Sequence, residues 1–268
     1  MKIVFMGKIS LRKIVHDHVL PISLNLRKYV CPLYSLAAKG TRPVAGSAVL
    51  LRIEEYYFLL SAAHVLKKCR VQPLYIPNGN KLELFLPLTY GQLHSTKSKS
   101  LDHNDDPFDV AYMRIKPEAI ERFSEFEFLS TEDLEVDDYP SKSKPYYITG
   151  YPDSKTKLLS SQEKLNERFY CHVRFLAEDQ IYSKHGLSPF AHIILDFDRE
   201  CSISTNLRLE TAPHPRGMSG GGVWCQPIDA ESGKVQGKPK LAGISVCPKK
   251  NPEVVIATKI PLILALQR

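Results

Sequence analysis

An all-β fold of two antiparallel, β-rich halves is predicted for this chain by three observations. From Tyr29 onward, short runs of β-branched, aromatic and aliphatic residues recur at short intervals and are bounded by turn-forming residues. Near the middle, an acidic Ser/Thr-bearing segment followed by Pro140 and Pro145 has the composition of a linker. With 268 residues, 43% hydrophobic and 24% charged, the chain is long and apolar enough to bury a substantial core.

Residues 1–28 form an N-terminal extension, and the apolar spacing from Ile9 to Val19 predicts one amphipathic helix. Lys8, Arg12, Lys13 and Asp17 cut short the apolar stretch after Met1, which reads as no export signal and a cytoplasmic protein. In the first half, 29–142, strands are predicted over 30–37, 46–53, 56–61, 73–76, 82–86 and 110–115. Lys39-Gly40-Thr41-Arg42-Pro43, Glu54-Glu55 and Pro77-Asn78-Gly79-Asn80 separate them as turns. Such spacing indicates an antiparallel barrel or sandwich. Pro117 at a first-turn position predicts a short helix. In the second half, 143–268, strands are predicted over 146–149, 169–175, 192–197, 221–225, 240–246 and 254–258, closed by a helix over 260–266.

Several classes of function are disfavoured. No uncharged run nears the ~18 apolar residues of a membrane span. The formal charge of +7 is dispersed in loops beside Pro, Ser or Gly, which argues against a nucleic-acid partner. The six cysteines, Cys31, Cys69, Cys171, Cys201, Cys225 and Cys247, form no Cys-x-x-Cys pair and fit free thiols in a reducing compartment. Cys171-His172 and the scattered histidines lack zinc-ligand spacing, so no metal or cofactor is called for.

The stretch Pro213-His214-Pro215-Arg216-Gly217-Met218-Ser219-Gly220-Gly221-Gly222 sets one serine among four glycines. Glycine permits a tight or positive-φ path that turns successive N–H groups toward one point, beside a serine nucleophile. The competing reading is a plain β-turn. A nucleophile elbow followed by a helix requires a histidine later in the chain, and none of the nine histidines follows Ser219. Among the earlier ones, His64 stands at the end of the apolar run from Tyr56 to Ala63, with small residues at 61–63 leaving room beside its ring. Asp109 leads directly into the apolar run from Val110, where a buried carboxylate needs a donor such as imidazole Nδ1–H. Asp105 and Asp106 read as turn residues.

Together these segments resemble the trypsin/chymotrypsin-like serine peptidases, and most closely their bacterial intracellular and HtrA-like branches. The resemblance rests on Ser61-Ala62-Ala63-His64, Asp109-Val110-Ala111 and Gly217-Met218-Ser219-Gly220-Gly221, in that order. It implies two packed six-stranded antiparallel β-barrels, with His64 and Asp109 in the first and Ser219 in the second. It further implies a His64, Asp109, Ser219 triad, an oxyanion hole from the N–H groups of Gly217 and Ser219, and a protein or peptide substrate. Substrate binding falls to Pro213, His214, Pro215 and Arg216, and to Ser245, Val246 and Cys247 in a segment resembling the family's substrate-pairing edge strand. Met218 stands where secreted members carry the activating aspartate, and Val65 where a cysteine often follows the histidine. Pro213 at the pocket floor supplies no acid to attract Lys or Arg. The alternative is a silent or gated module of the same fold, acting as a peptide-binding or regulatory protein with a regulatory partner.

Overall fold

The computed structural model describes residues 19–35, 43–67, 73–78, 81–85, 87–99, 105–136, 144–153, 157–159, 164–166, 169–197, 202–203, 209–210, 212–226, 237–246 and 254–266. Most of the helix expected over 9–19 lies outside them. The described chain begins instead with α1 (Leu20–Leu26), where Pro21 sits in the first turn and costs no hydrogen bond.

The first sheet contains β1 (Val30–Ser35), β2 (Val44–Ile53), β3 (Tyr56–Ala62), β4 (Leu74–Asn78), β5 (Lys81–Phe85), β6 (Gly91–Ser95) and β7 (Val110–Ile115). Its order is β5-β4-β1-β2-β3-β7-β6, with every pair antiparallel. The second sheet contains β8 (Tyr146–Gly150), β11 (Tyr170–Arg174), β12 (His192–Asp196), β15 (Gly222–Cys225), β16 (Lys240–Val246) and β17 (Val254–Lys259), in the order β11-β8-β15-β16-β17-β12. Two small hairpins, β9 (Lys157–Leu159) with β10 (Lys164–Asn166) and β13 (Ser202–Ile203) with β14 (Leu209–Glu210), stand beside them. Both main sheets curl, giving an all-β architecture of two half-barrels. The first has seven strands where six were expected. The extra strand, β6, carries Gly91, Gln92 and His94 in place of β-branched residues and lies at the sheet edge, where packing demands little of its sequence.

Inner strands β1, β2 and β3 are buried along most of their length, because neighbours cover both faces. Leu129 extends the sheet beside β2: Arg52 N donates to Leu129 O (2.7 Å) and Leu129 N to Leu50 O (3.0 Å). Five residues later Leu134 bridges Leu241, and Glu135 N donates to Leu241 O (2.9 Å), so the chain has already crossed to the second sheet. The boundary expected at 142–143 falls outside the described residues. Trp224 is fully buried, with Nε1 donating to Thr149 Oγ1 (2.8 Å). The closing helix, Ile260–Ala265, follows β17, and Tyr112 OH donates to Leu266 O (3.1 Å), docking this segment on the first sheet. Among the described residues no helix is long and apolar enough to cross a membrane.

His172 on β11 is buried against Tyr170 and Phe197. Burial, reinforced by the Arg174 charge, pushes its pKa down to about 3. An unfolded histidine titrates near 6.5, so between pH 6.5 and 3 the unfolded chain binds a proton that the native chain refuses. The contribution is complete above pH 6.5 and is lost as pH falls toward 3. His172→Phe is therefore expected to flatten the decline of the urea midpoint between pH 7 and 4. An unchanged decline would show that His172 does not drive it.

Candidate active site

The site assembles where β3, the approach to β7 and the glycine-rich turn before β15 meet. Strand β3 runs through buried Ser61 and Ala62 into a single helical turn, α2 (Ala63–Lys67), whose second residue is His64. A helix start leaves N–H groups without partners, and Asp109 supplies them. Asp109 O accepts from Ala63 N (2.8 Å), and Asp109 Oδ1 accepts from His64 N (2.9 Å). The other carboxylate oxygen, Oδ2, lies 2.6 Å from His64 Nδ1. An ionised carboxylate only accepts, so this contact places the ring hydrogen on Nδ1 and leaves Nε2 as the basic nitrogen.

Asp109 holds a positive φ of 44°, unusual outside glycine but most tolerated by Asp and Asn. Surrounding structure fixes that path. Thr258 Oγ1 of the second sheet donates to Phe108 O (2.6 Å), His192 Nε2 is bonded to Pro107 O (2.9 Å), and the Phe108 and His192 rings stack at 5.6 Å. Asp106, expected to be an ordinary turn residue, is buried: Thr96 Oγ1 donates to its Oδ2 and Phe108 N to its Oδ1 (3.0 Å).

Ser219 is 5% exposed in the turn ahead of β15. Met218 N donates to Pro215 O (2.9 Å) and Gly217 has φ 92°, the combination of a type II turn with glycine at its third position. A Cβ at Gly217 would stand 2.7 Å from Tyr151 O and 2.8 Å from Asp153 N. Arg216 O accepts from Asp153 N (2.8 Å); Met218 O accepts from Ser245 Oγ (2.8 Å) and Gly221 N (2.9 Å). Each of these carbonyls shares a trans peptide with the next N–H, so the amides of Gly217 and Ser219 point away from those partners. Among the described residues, neither amide donates a hydrogen bond.

The two halves meet through backbone. Ser47 N donates to Ser219 O (2.8 Å), and Gly46, the residue before it, has both Ser219 O and the Val65 side chain within contact of its Cβ position. Among the described residues, Ser219 Oγ and His64 Nε2 have no hydrogen-bond partner, so the contact between them is open in the resting chain. Catalytic hydrogen bonds often tighten only when substrate binds.

The remaining expected residues are divided. Pro213 and Pro215 are buried, whereas His214 and Arg216 are exposed; Arg216 N donates to His214 Nδ1 (3.2 Å), and its side chain lies 3.8 Å from Asp153. The expected edge strand is central in its sheet, because β15 flanks β16 on one side and β17 on the other. Ser245 N is committed to Gly221 O (2.8 Å) and Ser245 O accepts from Gly220 N (2.7 Å), while Val246 is paired with Ile256. Cys247 lies outside the described residues. Sequence reasoning missed Ser47, Asp153, His192 and Thr258, which act through bonds between residues far apart in the chain.

No family model and no curated protein matches the sequence. Solved structures do match, 375 chains in number. One is neuropsin, a serine protease expressed in the limbic system of mouse brain, with a TM-score of 0.51 at 14% identity over 89% of this chain and 92% of that one. The chain has the trypsin-like two-barrel fold. At that identity the likeness concerns architecture, and the chemistry must be argued from this chain's own residues.

Proposed function

We propose that the protein is a serine endopeptidase acting on a protein substrate through His64, Asp109 and Ser219. One observation carries the reading: the Asp109 carboxylate engages both His64 N and Nδ1, from a strained backbone held by the second barrel. Strain of this kind persists where surrounding structure over-determines it, commonly at functional sites.

In the proposed reaction Ser219 Oγ attacks the scissile carbonyl, forming an O–C bond as the carbonyl pair moves onto oxygen. His64 Nε2 takes the hydroxyl proton, and Asp109 stabilises the resulting imidazolium. The amides of Gly217 and Ser219 receive the oxyanion. Collapse breaks the C–N bond, His64 passes its proton to the leaving amine, and water releases the acyl group by the same steps in reverse. The proposed substrate contacts are the exposed His214 and Arg216, together with Cys247. Met218 in place of the activating aspartate and Val65 in place of the cysteine support a cytoplasmic enzyme of the intracellular branch over a secreted one.

A second reading, a gated or silent peptide-binding module, is favoured by the open contact between Ser219 Oγ and His64 Nε2. Fluorophosphonate labelling followed by intact mass separates the two. Wild type is expected to gain one adduct, and Ser219→Ala and His64→Ala none. Labelling that survives Ser219→Ala, or no adduct on folded wild type, overturns the peptidase reading.

A further inference from the structure

We infer that Ser47 is a positioning residue that holds the nucleophile turn in its working shape in the resting chain, an inference that rests on the peptidase reading. Ser47 lies in β2 of the first barrel and is fully buried. Among the described residues, four of its bonds reach the site and the segments that support it. The amide donates to Ser219 O (2.8 Å), and Oγ donates to Gly217 O (3.0 Å). The same Oγ accepts from Tyr151 N (3.0 Å) at the end of β8, and Ser47 O accepts from Ser61 Oγ (2.7 Å), three residues before His64.

Four successive carbonyls of the turn are thereby tied off in alternation. Those of Arg216 and Met218 go to Asp153 and to Ser245 and Gly221, all of the second half; those of Gly217 and Ser219 go to Ser47. Since each peptide is planar and trans, the second-half partners of Arg216 O and Met218 O aim the uncommitted N–H groups of Gly217 and Ser219, and Ser47 fixes the two alternate peptides, those ending in Met218 N and Gly220 N, so that the turn cannot rotate about the aimed ones. Among the described residues, the hydroxyl is the one side-chain group that binds this turn to the first barrel and to Tyr151 at once. Every partner in the arrangement is neutral, and Met218 is buried at 2% exposure where an activating charge would otherwise sit. The four carbonyls are therefore held without a charged partner.

The test compares full-length wild type, Ser47→Ala and Ser47→Cys, the last keeping volume while weakening the bonds. Fluorophosphonate labelling of Ser219 is expected to slow at least about tenfold in Ser47→Ala, less than the 10²–10³ for deleting an oxyanion donor outright, with Ser47→Cys between. The KM for p-nitrophenyl acetate is expected to stay within about twofold while kcat falls, a split that general loosening does not produce. Hydrogen exchange across 213–221 is expected to accelerate while β3 remains protected. Wild-type labelling rate and exchange in Ser47→Ala overturn the inference and leave the peptidase reading standing. An unlabelled wild type with the exchange difference intact overturns the peptidase reading and leaves the loop-holding role. If Ser47→Ala does not fold, a Ser47→Cys protein indistinguishable from wild type overturns the inference.

Discussion

Asp109→Asn is expected to lower kcat about 10⁴-fold while leaving the chain folded, the size of effect seen when a triad carboxylate is replaced by an amide. Asn tolerates the positive φ at this position nearly as well as Asp, so the backbone path survives. Its side chain, however, cannot accept from both His64 N and His64 Nδ1, because one carboxylate oxygen has become an NH₂ donor. If the amide oxygen keeps the helix start, the NH₂ group faces Nδ1 and the ring hydrogen moves to Nε2. The base is then lost. If the amide oxygen instead keeps Nδ1, His64 N loses its acceptor and α2 its first anchor, at a cost of about 1 kcal/mol or more. Steady-state kinetics with an ester substrate and the imidazole NMR signals of His64 would resolve these cases. A loss below about tenfold would show that Asp109 does not set the tautomer.

The proposed triad residues, His64, Asp109 and Ser219, stand out in the sequence because nucleophile, base and acceptor restrict residue types and because each stands at a pattern change. His64 ends an apolar run, Asp109 begins one, and Ser219 sits among glycines. The strands were legible for a related reason: burial on both faces selects near-continuous Val, Ile, Leu and aromatic runs, which β1, β2, β7 and β17 carry. What escaped was long-range. Ser47 reaches Gly217 across 170 positions, and Thr258 reaches Phe108 across 150. A serine or threonine in a strand looks the same whether its hydroxyl anchors a catalytic turn or an ordinary neighbour. Asp106 was concealed by its neighbour: adjacent acids in a loop read alike, yet one is buried and organises the approach to Asp109. The central position of β16 was hidden because strand order depends on which partners return to flank it.

Gly220→Ala is expected to destabilise the chain by about 3 kcal/mol or more, with loss of fluorophosphonate labelling. Two costs combine. Gly220 has φ 87°, which an L side chain adopts only under strain. A Cβ there would also press well inside van der Waals contact on Ser47 O and Ser61 Oγ, and stand 3.0 Å from Ala62 N. Two of these three are main-chain atoms of buried strands in the first barrel, so relief requires the barrels to separate. Gly186 provides the matched control, since its φ is 64° and a Cβ there meets nothing within 4 Å. Gly186→Ala should therefore show the backbone cost alone, about 1 kcal/mol. The difference in urea midpoint between the two variants measures how closely the first barrel packs against the nucleophile turn. If the two lose equal stability, the barrels do not meet at Gly220 in solution, and Ser219 lacks the support from β2 and β3 that its proposed role requires.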